Sequence, residues 1–193
     1  MEIHFIRHGK TYATEEKLYC GQTDLPLSAT GSQEIARLRD EGVYPSATVF
    51  FSSGMLRATQ TLAIICGDIY ELTVPGLSEI DFGSCEMKSH EELNGLADYQ
   101  AWIDDTTGDV SLPGGESRNQ FVQRVVSAYH GVVEETLRSA CLSAFAVCHG
   151  GTISRIMEHL FPGTQNYYEW LPEPGHGYTL SYQSGEPVSY HKI

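Results

Sequence analysis

The 193-residue chain predicts an α/β fold, a three-layer α/β/α sandwich with a mostly parallel central sheet, helices on both faces and a small lid-like insertion. Three observations carry that class. Short runs apolar on both faces ("EIHFIR", "ATVFFSS", "LSAFAVC") read as strands covered from both sides. Stretches of helical period separate them, so strand and helix alternate. No repeat or low-complexity linker interrupts the pattern, which fits one domain over 1–193 with 77–115 as the insertion.

In order, "EIHFIR" is the first strand. A helix then starts at Ser28 in "SATGSQEIARLRDEG", with Gly42 as its stop signal. "ATVFFSS" is a buried strand, followed by a helix capped near Ser53 and ended by Gly67. "YELTVP" is a further strand. The insertion holds a helix around Ser89 to Trp102 and then the turn-rich "LPGGES". A long helix runs from about Glu116 to Ser139, with Phe121, Val122, Val125, Val126, Tyr129, Val132, Val133 and Leu137 at helical spacing. "LSAFAVC" is a strand, "GGTISRIMEHLF" a helix, and "GYTLSYQSGEPVSYHKI" a terminal hairpin turning near Ser184-Gly185.

The net charge of -13 argues against non-specific binding to nucleic acid or to an anionic membrane. Any anion site must therefore be a local basic exception. Cys20, Cys66, Cys85, Cys141 and Cys148 are odd in number and form no C-x-x-C pair, which favours reduced thiols in a cytoplasmic protein. No basic-then-apolar leader opens the chain, and no apolar run approaches the roughly 20 residues of a membrane span.

Ligands of such sheets bind beyond the carboxyl ends of the strands. Two of those ends carry nearly the same signature, Arg7-His8-Gly9 and Cys148-His149-Gly150-Gly151. A third ends in Ser52-Ser53, with Arg57 in the first turn of the next helix. If these strands are neighbours, Arg7, His8, Arg57 and His149 meet in one crevice. The glycines after each histidine, Gly9 and Gly150, allow close approach, and helix N-termini add exposed N–H groups. Such a crevice suits a phosphoryl dianion. A lone histidine at a strand end is ordinarily structural, and paired histidines also hold metals. Two His-Gly ends with an arginine argue against the first. The lack of HExxH or paired carboxylates beside them argues against the second.

Six ordered segments resemble the histidine phosphatase superfamily, also called phosphoglycerate mutase-like. They are "RHGKT", "LYCGQTDLPLSATG", "FSSGMLRATQT", "LSEIDFGSCE", "PGGES" and "VCHGGTI". The resemblance implies that His8 is a nucleophile that becomes phosphohistidine, and that Arg7, Arg57 and His149 bind the phosphoryl oxygens. It implies Glu79 as proton donor, with Asp81 and Glu86 as its competitors, and puts Thr11, Cys20, Gly21 and Gly150 near the substrate. Thr14 stands where many relatives have a phosphate-contacting Asn. The chemistry agrees: a neutral imidazole accepts a phosphoryl group, and two Arg with a cationic His neutralise it without a metal or cofactor.

The resemblance implies a phosphomonoester hydrolase acting on a small molecule. "DFGSCEMKSHEEL", "YQAWIDD" and "PGGES" are similar to α-ribazole phosphatases of cobalamin biosynthesis. A phosphoglycerate mutase, a broad sugar-phosphate or nucleotide phosphatase, and a non-catalytic phospho-ligand binder are the alternatives. The short insertion favours hydrolysis over a mutase. Tyr12, Tyr19, Tyr99 and Trp102 are expected either as a wall around a ring-bearing leaving group or, for Trp102, as helix core. His176 is a candidate pocket residue.

Overall fold

The computed structural model describes residues 1–193. Its elements are β1 (Glu2–Arg7), α1 (Tyr12–Glu15), α2 (Ala29–Asp40), β2 (Val49–Ser52), α3 (Leu56–Cys66), β3 (Leu72–Thr73), α4 (His90–Leu93), α5 (Ala97–Asp104), α6 (Arg118–Arg138), β4 (Ser143–Cys148), α7 (Gly150–Leu160), α8 (Tyr167–Trp170), β5 (Gly177–Gln183) and β6 (Glu186–Lys192).

Strand alternation builds two cores on one sheet. Ile3 and Phe5 of β1 and Ala144, Ala146 and Cys148 of β4 join the apolar faces of α6 and α7. Ile6, Phe145 and Val147 point the other way, onto Ala58 and Leu62 of α3. Helix α2 packs on α3. The expected three-layer sandwich is therefore the observed fold. The sheet order is β3-β2-β4-β1-β5-β6. Strands β1 to β4 run parallel, while β5 is antiparallel to both β1 and β6. Ser184 and Gly185, at φ 54 and 87, make the terminal turn, the left-handed pair that suits a two-residue hairpin.

Four local expectations change. The helix foreseen from Ser89 to Trp102 is two short ones, because Gly95 at φ 96 stands outside helical space. The strand in "YELTVP" keeps only Leu72 and Thr73 in register with Phe51 and Ser52. Helix α3 begins at Leu56 rather than near Ser53; its N-cap, Met55, has no capping side chain. Instead Asp24, from a distant loop, accepts the Leu56 N–H at 2.7 Å. Finally, α1 and α8 are additions to the expected elements. Each is a single turn nucleated by a reciprocal capping box, Thr11 with Thr14 and Asn166 with Glu169.

Candidate active site

Register brings the two histidine signatures side by side. Strand β4 lies between β2 and β1, with Arg7 opposite Cys148 and Ser52 opposite Val147. The ladder continues one step past the strands, as His8 N–H donates to the Cys148 carbonyl at 3.0 Å and Ser53 N–H to Val147 at 3.2 Å. His8, His149 and Ser53 thus stand abreast at the carboxyl edge. The two imidazoles are 5.0 Å apart between centroids and inclined at 64°.

His8 is buried, 7 % exposed. Its Nδ1–H donates to the Gly9 carbonyl at 2.7 Å. A carbonyl only accepts, so Nδ1 carries the proton and Nε2 keeps a free electron pair. Burial, then Arg57 and Arg7, holds the His8 pKa well below the ordinary imidazole value, so the ring is neutral at neutral pH. His149 is held on both sides. Arg57 Nε donates to its Nδ1 at 3.3 Å, and its Nε2 meets the Ser53 hydroxyl at 2.9 Å. A guanidinium only donates, so Nδ1 is bare and Nε2–H is the donor to Ser53. This corrects the expectation of a cationic His149. Burial, followed by Arg57, His8 and Arg7, holds its pKa well below the usual range.

The deeper positive charge in the crevice comes from Arg7 and Arg57. Arg57, 1 % exposed, donates from Nη1 to the Thr23 carbonyl at 2.9 Å and from Nη2 to Gly21 at 2.7 Å. Arg7 donates from Nη1 to Pro172 at 2.8 Å, while its buried Nε has no partner. Glu79 faces them. Its two oxygens accept from Gly151 N–H at 2.8 Å and Ile80 N–H at 3.0 Å. Gly151 is needed here, since a Cβ on it would lie 2.3 Å from Glu79 Oε1. The competing acids have other work. Asp81 accepts from Gly83 N–H at 2.8 Å. Glu86 gathers the amides of Gly21, Gln22 and Thr23 and the Thr23 hydroxyl, so it organises the loop that Arg57 grips.

A cavity of about 190 Å³ opens on these groups, lined by Arg7, His8, Thr11, Ala13, Thr14, Lys17, Leu18, Cys20, Arg57, Glu79 and Gly150. Three cations and one acid face it, the local basic exception that an anion needs in a chain of net charge -13. His149 lies behind the wall. Thr11 and Thr14 line the cavity but also cap α1: Thr14 Oγ1 accepts from Thr11 N–H at 3.3 Å. The Cys20 thiol is half-buried, and burial pushes its pKa up.

Gly9 and Gly21 do not line the cavity. A Cβ on Gly9 would meet Ile35 of α2 at 2.8 Å, so the residue is small to admit α2 rather than the ligand. A Cβ on Gly21 would fall 1.8 Å from the Ile80 carbonyl, so Gly21 lets two loops touch. His176 also lies elsewhere, with Nδ1–H donating to the Ile193 carbonyl at 3.0 Å. The aromatic wall is absent from the cavity. Tyr19 packs with Tyr99 and Trp102 of 77–115, Phe82 lies against Tyr19 and Trp102, and the Tyr19 and Tyr99 hydroxyls are 2.7 Å apart. Tyr12 is 57 % exposed. Sequence reasoning missed Lys17, Gly151 and the loop-organising role of Glu86, and it assigned Ser53 to a helix cap.

Residues 3–190 match the histidine phosphatase superfamily (branch 1). The chain belongs to this family. Among solved structures, α-ribazole phosphatase from Shigella flexneri is similar at a TM-score of 0.83 and 25% identity, covering 97% of this chain and 94% of that one. Phosphoglycerate mutase from Thermus thermophilus is similar at a TM-score of 0.74 and 28% identity, covering 98% of both. Among curated proteins, the adenosylcobalamin/alpha-ribazole phosphatase of Escherichia coli K12 is 31% identical over 65% of this chain and 63% of its own length. The probable phosphoglycerate mutase GpmB of Salmonella choleraesuis is 30% identical over 69% of this chain and 64% of its own. The matched region thus spans just under two thirds of those curated relatives.

Proposed function

We propose that this protein is a phosphomonoester hydrolase working through a phosphohistidine on His8, without a metal or cofactor. One observation carries the reading. His8 is fixed through Nδ1 on the Gly9 carbonyl, with Nε2 left bare in a cavity walled by Arg7 and Arg57. The neutral nitrogen attacks phosphorus, forming the P–N bond as the P–O bond to the leaving group breaks. Glu79 gives its proton to the departing oxygen. The planar guanidinium forks, including the unpartnered Arg7 Nε–H, meet the charge spread over the equatorial oxygens. Water then attacks phosphorus and Glu79 takes its proton. The P–N bond breaks, releasing orthophosphate and neutral His8.

Hydrolysis is favoured over return of the phosphoryl group because 77–115 contributes only Glu79 to the cavity wall. We read that segment as a lid-like insertion within one domain, and the protein as cytoplasmic. The leaving group is the finer question. The likeness to the Shigella flexneri structure supports α-ribazole 5′-phosphate, and the likeness to the Thermus thermophilus one supports a phosphoglycerate.

The test is turnover of p-nitrophenyl phosphate in EDTA, with acid-labile, alkali-stable phosphate mapped to His8 by mass spectrometry. Activity abolished by EDTA, or retained in His8→Ala, refutes the mechanism. A panel of α-ribazole 5′-phosphate, phosphoglycerates, sugar phosphates and nucleotides ranks the leaving groups.

A further inference from the structure

Helix α1 ends in a manner its sequence does not favour. Glu16 caps it, Lys17 follows at φ 55, and Leu18 N–H returns to the Ala13 carbonyl at 2.8 Å. This is a six-to-one closure, and its left-handed position is ordinarily glycine, sometimes asparagine. A lysine there is disfavoured against the right-handed conformation by the clash of its Cβ with the following carbonyl oxygen. The closure is held from outside as well. Leu18 bridges Ser89, and Tyr19 N–H donates to the Lys88 carbonyl at 3.0 Å. Lys17 therefore cannot relax by letting the turn unwind.

That unfavourable position puts Lys17 in the wall of the cavity that holds His8 and Arg7. Lys17 makes no ion pair and no side-chain hydrogen bond within the protein. The neighbouring Glu15 is taken by the Ser28 and Thr30 hydroxyls. The other two cations of the cavity are held by backbone carbonyls and lie deeper, Arg57 at 1 % exposure. Lys17 is exposed, on a flexible stem, at the solvent side of the same wall. Two arginines match one phosphoryl group, and the third cation is surplus to it. Its place, farther out than the arginines, is where the remainder of a phosphomonoester emerges.

We propose that Lys17 is a specificity-determining residue, selecting phosphomonoesters whose leaving group carries a second negative charge, a carboxylate or another phosphate, close to the ester oxygen. The inference rests on the hydrolase reading above and deepens it. Of the two leaving groups considered there, it favours phosphoglycerate-like substrates over the uncharged α-ribazole. A lysine suits this task because it acts as a mobile point charge and does not demand the planar geometry that a guanidinium does.

The experiment uses a matched pair that differs at one carbon: 3-phosphoglycerate carries a carboxylate where glycerol 3-phosphate carries a hydroxymethyl group. kcat/KM is measured for both with the wild-type chain, Lys17→Gln and Lys17→Gly. The wild type is expected to prefer 3-phosphoglycerate, and both variants to lower that preference about tenfold. Raising ionic strength weakens the wild-type preference and leaves the variants' ratio flat. A sugar bisphosphate against its monophosphate tells a second phosphate from a carboxylate. Lys17→Gly suits the left-handed position, so its melting temperature separates misfolding from lost recognition. A ratio unchanged in both variants, or equal losses on both esters, overturns the proposal while leaving the hydrolase reading intact. A wild type that turns over neither ester nor p-nitrophenyl phosphate overturns the hydrolase reading itself.

Discussion

The two strand ends Arg7-His8-Gly9 and Cys148-His149-Gly150 read almost alike, yet the fold uses them differently. Both histidines are buried, both follow parallel strands, and both sit beside Arg57. They part at their second nitrogen. His8 spends Nδ1 on the carbonyl of its own next residue and keeps Nε2 free in the cavity. His149 has Arg57 on one nitrogen and Ser53 on the other. A nucleophile needs an unshared pair, so only His8 qualifies. On the proposed reading His149 acts through Arg57, helping the Gly21 and Thr23 carbonyls to hold it by accepting from Nε. On the proposed mechanism, nearly identical local sequence therefore yields one reacting group and one positioning group, and the partners of a ring nitrogen decide which is which.

The largest way to break that contrast is to remove each histidine in turn. His8→Ala should lower kcat by on the order of 10³-fold or more and leave no phosphoenzyme. His149→Gln can still accept from Arg57 and donate to Ser53. It should lose about 10- to 100-fold, the scale of a misplaced phosphate ligand, and still trap phosphate on His8. If His149→Gln loses the phosphoenzyme and His8→Ala keeps it, the assignment is reversed. Glu79→Gln comes next. General-acid help is worth about 10²–10⁴-fold, and it matters most when the leaving oxygen is a poor one. An alkyl phosphate should therefore suffer more than p-nitrophenyl phosphate, with orthophosphate inhibition little changed. Equal losses on both esters would make Glu79 a structural carboxylate.

Much of this is legible in the sequence, because the strands are apolar on both faces and the motifs fall where those strands stop. Arg7, His8, Arg57, Glu79 and His149 all gather at the carboxyl edge. What escapes is long-range. Nothing local tells that Gly9 faces Ile35 and Gly21 faces Ile80, since a glycine's neighbour is set by packing. Nor does it tell that Ser53 is released from capping because Asp24 caps α3 from another loop. The company of His149 suggests a cation. Its neutrality follows from which atom of Arg57 reaches it, a matter of side-chain geometry. The Lys17 position escapes for a local reason instead. Thr11-x-x-Thr14 lacks the Glu or Gln of the usual capping-box signature, and a lysine gives no sign of a left-handed turn, so neither α1 nor its closure is announced locally.

Acid stability sharpens the contrast less dramatically. His8 and His149 are held neutral by burial and nearby arginines, so their folded pKa values lie below the unfolded value of about 6.5. As pH falls through 6.5 the unfolded chain takes up protons that the folded chain refuses. Stability is then lost, by at most about 1.4 kcal/mol per pH unit for each histidine. His4, lowered by its own burial, adds in the same direction. Unfolding midpoints in urea between pH 8 and 5 should be level above about 6.5 and fall below it, and His149→Gln should fall less steeply. An equally steep fall in that variant would mean that His149 is already protonated in the native state.

The smallest effect isolates the Ser53 contact. Ser53→Ala removes the acceptor of His149 Nε2–H and leaves a buried donor unpaired, for about 1–3 kcal/mol. The ring can respond in two ways. It can stay in place and bear the loss as lower stability, keeping Arg57 and activity nearly unaltered. Or it can turn to find another acceptor, which frees Arg57 Nε and costs activity as well. The first outcome is expected, because His149 is packed with no exposure and Arg57 is pinned independently by the Gly21 and Thr23 carbonyls. Paired measurements on Ser53→Ala decide it. A drop in urea midpoint with kcat within about threefold of wild type supports a ring held by packing. A kcat loss as large as that of His149→Gln would show that Ser53, rather than the surrounding core, sets the orientation of the second histidine.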